Sequence, residues 1–487
     1  MSMPAFMRMP APPIQITTSP YQGKVDFSAL QEPGASSLAL DQVSIADLLR
    51  NAFVYPPYSI YRDVKIACFG FDPAQDLSRN ADYRFAYRAS PSPPRPAAKA
   101  VDKSVLLDTY HRLLCDAVAR STAGMHAPWL LQSGGKDSTS LAIALAEVRP
   151  QTTCITYLGG REENEIASAQ AVARHLGLRH DSLVCNPGRA YDRYLAMVPR
   201  LPLLSADFAI LSYVDLTTEI AGSGGDGLVD GLGSDIYFGT PVDARRQVLT
   251  LLARRLKLPA RLFESRWVKH NFKLCFALST LEMDAFERYF PGSRFNNAEV
   301  DRLFGRPIAA ASRQRIETFR HELEAANNAE AQKRLSLVIA EAGAAFAKGQ
   351  YTTCALGLRQ AYPYCDALLS DWVYHQVPQQ SLIDRHGHNK ALVREHIARH
   401  FGGLPYVKAK GSFRFDLCGL ARERFDQVHA FATATQHLLP GATHWLETHR
   451  SRLDNKYFAS KFYLLAIILP WLQSRMHGAP PASRRSP

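Results

Sequence analysis

The chain lacks any hydrophobic run long enough to cross a bilayer. Its most apolar late stretch, FYLLAIILPWL at residues 462–472, is about half the ~20 residues a spanning helix needs. A buried core helix is expected there, and no membrane partner. Cysteine is sparse: eight residues in 487, at Cys68, Cys115, Cys154, Cys185, Cys275, Cys354, Cys365 and Cys418. None falls in a CxxC pair, and no His/Cys group has zinc-finger spacing in the sequence. That excludes a disulfide-stapled scaffold and suits reduced thiols in a cytosol. The opening MSMPAFMRMPAPP has no apolar core segment, so no secretory signal is expected and a cytoplasmic location is. There is no Walker A string, no internal repeat and no sustained heptad pattern. Acidic residues are in deficit: 45 Asp plus Glu against 57 Lys plus Arg, a net charge of +12. That surplus leaves three polyanions open as partners: nucleic acid, an anionic membrane surface, or a nucleotide triphosphate. At 46% hydrophobic and 21% charged residues, the composition is that of a globular chain rather than a disordered or collagen-like one.

The chain divides by texture. Residues 1–40 are rich in Pro, Ser and Gln without a period and predict a loosely ordered start. VSIADLLRNAF predicts a helix, and YSIYRDVKIACFGF with DYRFAY a hairpin or strand pair. SPSPPRPAAKA, residues 90–100, reads as a linker. Beyond it, SVLLDTYHRLLCDAVARS has its apolar residues at helical spacing. APWLLQ, TTCITYL, DSLVC and GDGLVDGL predict strands, separated by helices such as DSTSLAIALAEV and NEIASAQAVARHLG. Alternating strands and helices predict an α/β fold, a parallel sheet with helices on both faces. After about residue 245 the pattern is mostly helical. The expected units are a small, degenerate α+β part at 1–100, one large unit at 101–475, and a disordered tail at 476–487.

The most informative string is LLQSGGKDSTS, residues 130–140. A strand enters, Ser133-Gly134-Gly135 turns, and a helix leaves from Asp137. Two glycines let the backbone approach a ligand closely, and free N–H groups of the loop and helix N-terminus would converge on an anion. Ser133 and Ser138 add hydroxyls. Asp137 would repel phosphate alone, so its presence implies a divalent cation between carboxylate and phosphate.

This SGGKDS loop resembles the SGGxDS pyrophosphate loop of the ATP-pyrophosphatase group, whose members cleave ATP between the α and β phosphates and adenylate a substrate oxygen. Three further strings are similar to asparagine synthetases within that group. ITYLGGREENEIASAQAVARHLGLRH, residues 155–180, resembles their second strand and helix, with Glu162, Glu163 and Glu165 in an acidic loop. VDGLGSDIYFG, residues 229–239, resembles their SGEGxDExFGG loop. Ala361-Tyr362-Pro363-Tyr364-Cys365-Asp366, Asn389-Lys390 with Arg394, and LPYVKAKGSF at 404–413 resemble their C-terminal signature. The resemblance implies an adenine nucleotide alpha-hydrolase-like fold. It implies ATP held by Gln132, Ser133, Gly134, Gly135, Asp137, Ser138, Thr156, Asp230 and Gly231, and magnesium held by Asp137 and Asp235. Asp235 and Lys410 become the catalytic candidates, Lys410 stabilising charge on the leaving pyrophosphate. Lys390 and Arg394, one helical turn apart, read as a structural pair.

The pattern breaks in two places. Asparagine synthetases carry a glutaminase domain whose nucleophilic cysteine follows the initiator methionine; here that residue is Ser2, so residues 1–100 predict a remnant without glutaminase chemistry. Leu232 stands where asparagine synthetases have a glutamate and β-lactam synthetases a tyrosine, and a leucine cannot take a proton from an amine. Ile236 replaces the acidic residue after the family aspartate. The resemblance therefore implies an ATP-dependent amide-forming ligase with ATP and Mg2+, acting on a small-molecule or peptide carboxylate and an amine donor. A separate glutaminase or a precursor-peptide protein would be its partner. An intramolecular β-lactam or lasso-peptide cyclase, and a non-catalytic nucleotide-binding scaffold, are the alternatives. A tRNA-modifying enzyme is disfavoured because no CxxC, zinc knuckle or aromatic-plus-basic RNA motif is present.

Overall fold

The computed structural model describes residues 14–18, 25–30, 38–68, 102–159, 165–239, 270–283, 287, 294–319, 324, 329–402 and 415–476. Its centre is a five-stranded, wholly parallel sheet. The strands are β3 (Pro128–Leu131), β4 (Thr153–Leu158), β5 (Arg179–Val184), β6 (Gly227–Val229) and β7 (Arg359–Ala361), in the order β5-β4-β3-β6-β7. Buried alternation sets the two faces, since successive strand side chains point opposite ways. Leu130, Cys154, Val229 and Ala361 face one apolar layer. Trp129, Leu131, Ile155, Tyr157 and Leu228 face the other.

Helices cover both faces, as the sequence predicts. On the first lie α2 (Lys103–Ser121), α3 (Lys136–Val148) and α4 (Glu165–His175). α5 (Pro187–Met197) then leads to α6 (Ile210–Gly222), which packs Tyr213, Leu216 and Ile220 on the second face. The chain therefore winds outward from β3 through β4 to β5, crosses over, and resumes at β6 on the other side of β3. Loops after β3 and β6 diverge at that reversal, where open α/β sheets bind ligands. A short helix α7 (Ser234–Tyr237) follows β6 directly.

The later chain is helical, with α8 (Ala329–Ala340), a π-helical turn Glu341–Ala345, α9 (Phe346–Leu356), α10 (Ala391–Phe401), α11 (Leu417–Ala434) and α12 (Lys456–Met476). The apolar stretch at 462–472 is the buried heart of α12, despite Pro470 inside it. Among the described residues, no helix is long and apolar enough to cross a membrane.

The N-terminal part departs from expectation. Residues 1–40 contain a strand, β1 (Ile14–Thr18), which pairs in parallel with β2 (Val64–Cys68). The expected hairpin partner DYRFAY, the 90–100 linker and the 476–487 tail beyond Met476 lie outside the described residues. Between the strands, α1 (Gln42–Asn51) is capped by Asp41, whose side chain accepts from the Val43 amide. Its buried residues share one apolar core with α11 and α12.

Candidate active site

β3 ends at Leu131, and Gln132 leads into the loop Ser133–Gly135, which turns into α3. The loop amides that the sequence leaves free for phosphate are each paired inside the chain. Ser133 N–H donates to Ser138 Oγ at 3.1 Å and Gly135 N–H to Ser133 Oγ at 3.2 Å. Gly134 N–H donates to Oε2 of Glu165 at 3.0 Å. A buried carboxylate thus already occupies the Gly134 amide. Glu165 is 2% exposed; Glu162 and Glu163 lie outside the described residues.

The loop after β6 reaches the same place. Asp230 is anchored twice: Tyr213 Oη donates to Oδ2 and Leu232 N–H to Oδ1. Gly231 lies so close to α3 that an added Cβ would come within 3.3 Å of Asp137 Cβ, so only a residue without a side chain fits there comfortably. Gly233 has φ +92° and would drive a Cβ to 2.4 Å from Cys365 Sγ. It turns the chain into α7, which presents Asp235. Leu232 packs on the main apolar core and Ile236 is fully buried, so the two departures from the family's acidic pattern are packing residues here.

Lys390 joins the two loops. Its Nζ donates to Asp137 Oδ1 and Oδ2 at 2.9 and 2.8 Å and to Ser234 Oγ at 2.8 Å. Asp235 Oδ1 is 2.7 Å away. Burial disfavours the ammonium, but the charges of Asp137 and Asp235 outweigh it and hold its pKa well above the ordinary lysine value. The backbone of Lys390 is left-handed, with φ 62°, a conformation costly for a side-chain-bearing residue. The Lys390 amide bond to the Phe238 carbonyl, 2.9 Å, helps fix it. The structural role read for the Lys390–Arg394 pair is thus too narrow: Lys390 sits inside the site, while Arg394 Nε donates to the Asn389 carbonyl at 3.2 Å.

Other groups complete the surroundings. Tyr364 Oη donates to the Asp137 carbonyl at 2.9 Å. Thr156 Oγ1 donates to the Gln132 carbonyl at 2.7 Å and meets His180 Nε2 at 2.9 Å, so its hydroxyl ties strand ends together. Lys136 Nζ donates to Asn389 Oδ1 at 3.3 Å, and burial followed by the charges of Arg394 and Lys390 lowers its pKa. Glu341 opens the π-helical turn, a local geometry enriched at functional sites. Burial and then the charge of Asp235 push its carboxyl up to about 8, and its Oε2 is shielded with no hydrogen-bond partner. Lys410 lies outside the described residues.

Two observations bear on what the site holds. Lys390 between two carboxylates leaves one net negative charge, and the Asp235 side chain is 58% exposed, so a divalent cation fits the donor set. Gln132 is 1% exposed yet neither its Oε1 nor its Nε2 has a partner, an expensive arrangement that a polar ligand would relieve. Sequence reasoning named Lys390 only as a structural residue and did not name Glu341. A lysine at the start of a helix opposes the helix dipole, and that was the available signal for an acidic partner.

A family model described as asparagine synthase matches residues 109–405, more than half of the chain. Among curated proteins none matches. Solved structures that match include NMN synthetase from Francisella tularensis, 14% identical, covering 47% of this chain and 98% of that one at a TM-score of 0.22, too low to carry structural weight. The span of the family match takes in the SGGKDS loop, the Asp230–Asp235 loop and Lys390, and the chain belongs to the asparagine synthase family.

Proposed function

We propose that the chain is an ATP-dependent, amide-forming ligase. A substrate carboxylate oxygen bonds to the α phosphorus of ATP, the bond to the β-phosphate oxygen breaks, and pyrophosphate leaves. Ammonia or an amine then attacks the acyl-adenylate carbonyl and AMP departs. The observation that carries this reading is Lys390, whose Nζ binds Asp137 of the SGGKDS loop and Asp235 of the post-β6 loop at 2.7–2.9 Å. It brings both expected phosphate-facing loops to one point at the sheet's reversal.

In this reading Gln132, the Ser133–Ser138 loop, Thr156 and Asp230-Gly231 bind ATP, and Asp137 and Asp235 hold magnesium. The cation supplies charge neutralisation on the phosphates. Lys390 orients the two carboxylates and adds positive charge where the leaving group develops its negative charge. Lys410 is proposed to do the same from its own segment. Leu232 offers no proton acceptor beside the carbonyl, which favours an amine borne by the substrate over free ammonia, as in β-lactam or lasso-peptide cyclisation. A small-molecule or peptide carboxylate is the proposed substrate class.

The test is pyrophosphate release from ATP and magnesium across a panel of amino acids and short peptides. Release dependent on one carboxylate class is the expected result. ATP binding without release for any carboxylate would favour a nucleotide-binding scaffold.

A further inference from the structure

A second cluster lies outside this site, where α2 and α10 pack beside α3. α2 carries His111 and Cys115, and α10 carries His396 and His400. Four-residue spacing puts each pair on one face of its helix. One ring nitrogen from each of His111, His396 and His400 lies within 4.8 Å of the others. His111 Nδ1 and His396 Nε2 are 3.0 Å apart.

The outer edges of the His111 and His396 rings are already engaged. His111 Nε2 is 2.9 Å from Glu147 Oε2. An ionised carboxylate only accepts, so Nε2 carries the proton and the Nδ1 lone pair faces His396. His396 Nδ1 meets Ser140 Oγ at 3.0 Å. An imidazole bound to a metal is held in this way: outer nitrogen on a carboxylate or hydroxyl, inner lone pair toward the ion. His396 is 1% exposed, so its ring is fixed among its neighbours rather than free in solvent. Cys115 lies on the outer side, its Sγ 3.7 Å from His111 Nε2. That is the edge of His111 turned to Glu147, which leaves the three imidazoles as the convergent donor set.

We propose that His111, His396 and His400 bind a divalent transition cation of zinc's coordination preference, with Glu147 orienting His111 and the fourth position open to water. The ion would fasten α10 to α2. Because Lys390 is the N-cap of α10 and Asp137 lies in the first turn of α3, the site sits behind both partners of the ion pair. The sequence hides it: one helix offers a single ligand and the other two, and the helices lie far apart in the chain.

The probe is zinc itself, on the tag-free full chain, stripped with chelator and dialysed back. About one equivalent should remain, and cobalt in its place should give visible ligand-field bands of low coordination number. His400 is exposed, so His400→Ala tests the site without emptying the core; it should lose the bound ion and the cobalt bands while keeping the wild-type circular dichroism. Glu147→Gln should weaken zinc binding about 10–100-fold, and Cys115→Ala should leave it unchanged. Failure of the wild type to retain zinc would overturn the proposal in favour of a purely hydrogen-bonded Tyr110–Ser140–His396–His111–Glu147 network. Equal retention by wild type and His400→Ala would overturn it as well, placing the ion on thiols elsewhere.

Discussion

Glu341 shows what a single half-buried acid can do to this protein. Its carboxyl is pushed up from 4.5 to about 8, first by burial and then by Asp235. The folded chain therefore binds that proton more tightly than the unfolded chain does. The contribution to stability is complete below the unfolded value and is lost as pH rises through the folded one. Between pH 4.5 and about 8, Glu341→Gln should flatten this decline, measured by urea unfolding of the nucleotide-free chain across that range. An identical pH slope in both proteins contradicts the assignment. Glu341 does not stand out in the sequence, and Lys390 stands out only as part of a basic pair. Lys390 meets Asp137 across 253 residues of chain, and no local pattern reports a partner so distant. The SGGKDS and GLGSD strings are legible because their glycines and serines are demanded by local backbone geometry. What those strings do not disclose is that each loop amide already has a side-chain acceptor, Glu165 for Gly134.

Among the elements, α7 depends on one glycine. Gly233 holds φ +92° against the Cys365 sulfur, and this turn aims Asp235 at Lys390. Gly233→Ala should lower stability by about 1–3 kcal/mol through strain at that conformation, and should weaken magnesium-dependent ATP binding more than Ile236→Val does. Equal effects of the two substitutions in isothermal titration would show that α7's entry turn does not position the aspartate. The strands and helices of the central sheet are legible because PWLL and TCITYL are nearly continuous buried runs, the mark of parallel strands covered on both faces. β1 escapes notice for the opposite reason: it is short, set among prolines and polar residues, and finds its partner at Val64–Cys68.

At the scale of the whole molecule, the N-terminal part is stitched to the helical part by buried charge as well as apolar packing. Asp47 is fully buried, with Arg315 Nη1 at 2.6 Å and Ser312 Oγ at 2.5 Å. Burial raises its pKa and Arg315 opposes the rise. Arg315→Ala strands that carboxylate and should cost about 3–5 kcal/mol, read as a fall in the urea midpoint. A loss under about 1 kcal/mol would mean the pair is not a buried bridge. Arg50 makes a second such contact, 2.6 Å from Glu287.

In the proposed function Lys390, Asp137 and Asp235 form one adenylation site. Carboxylate-dependent exchange of labelled pyrophosphate into ATP measures the adenylation step alone, whatever the amine. Wild type should exchange label with the correct carboxylate. Asp137→Asn and Lys390→Met should each lose about 100-fold or more, with native circular dichroism retained. Wild-type rates in both folded variants would contradict the account.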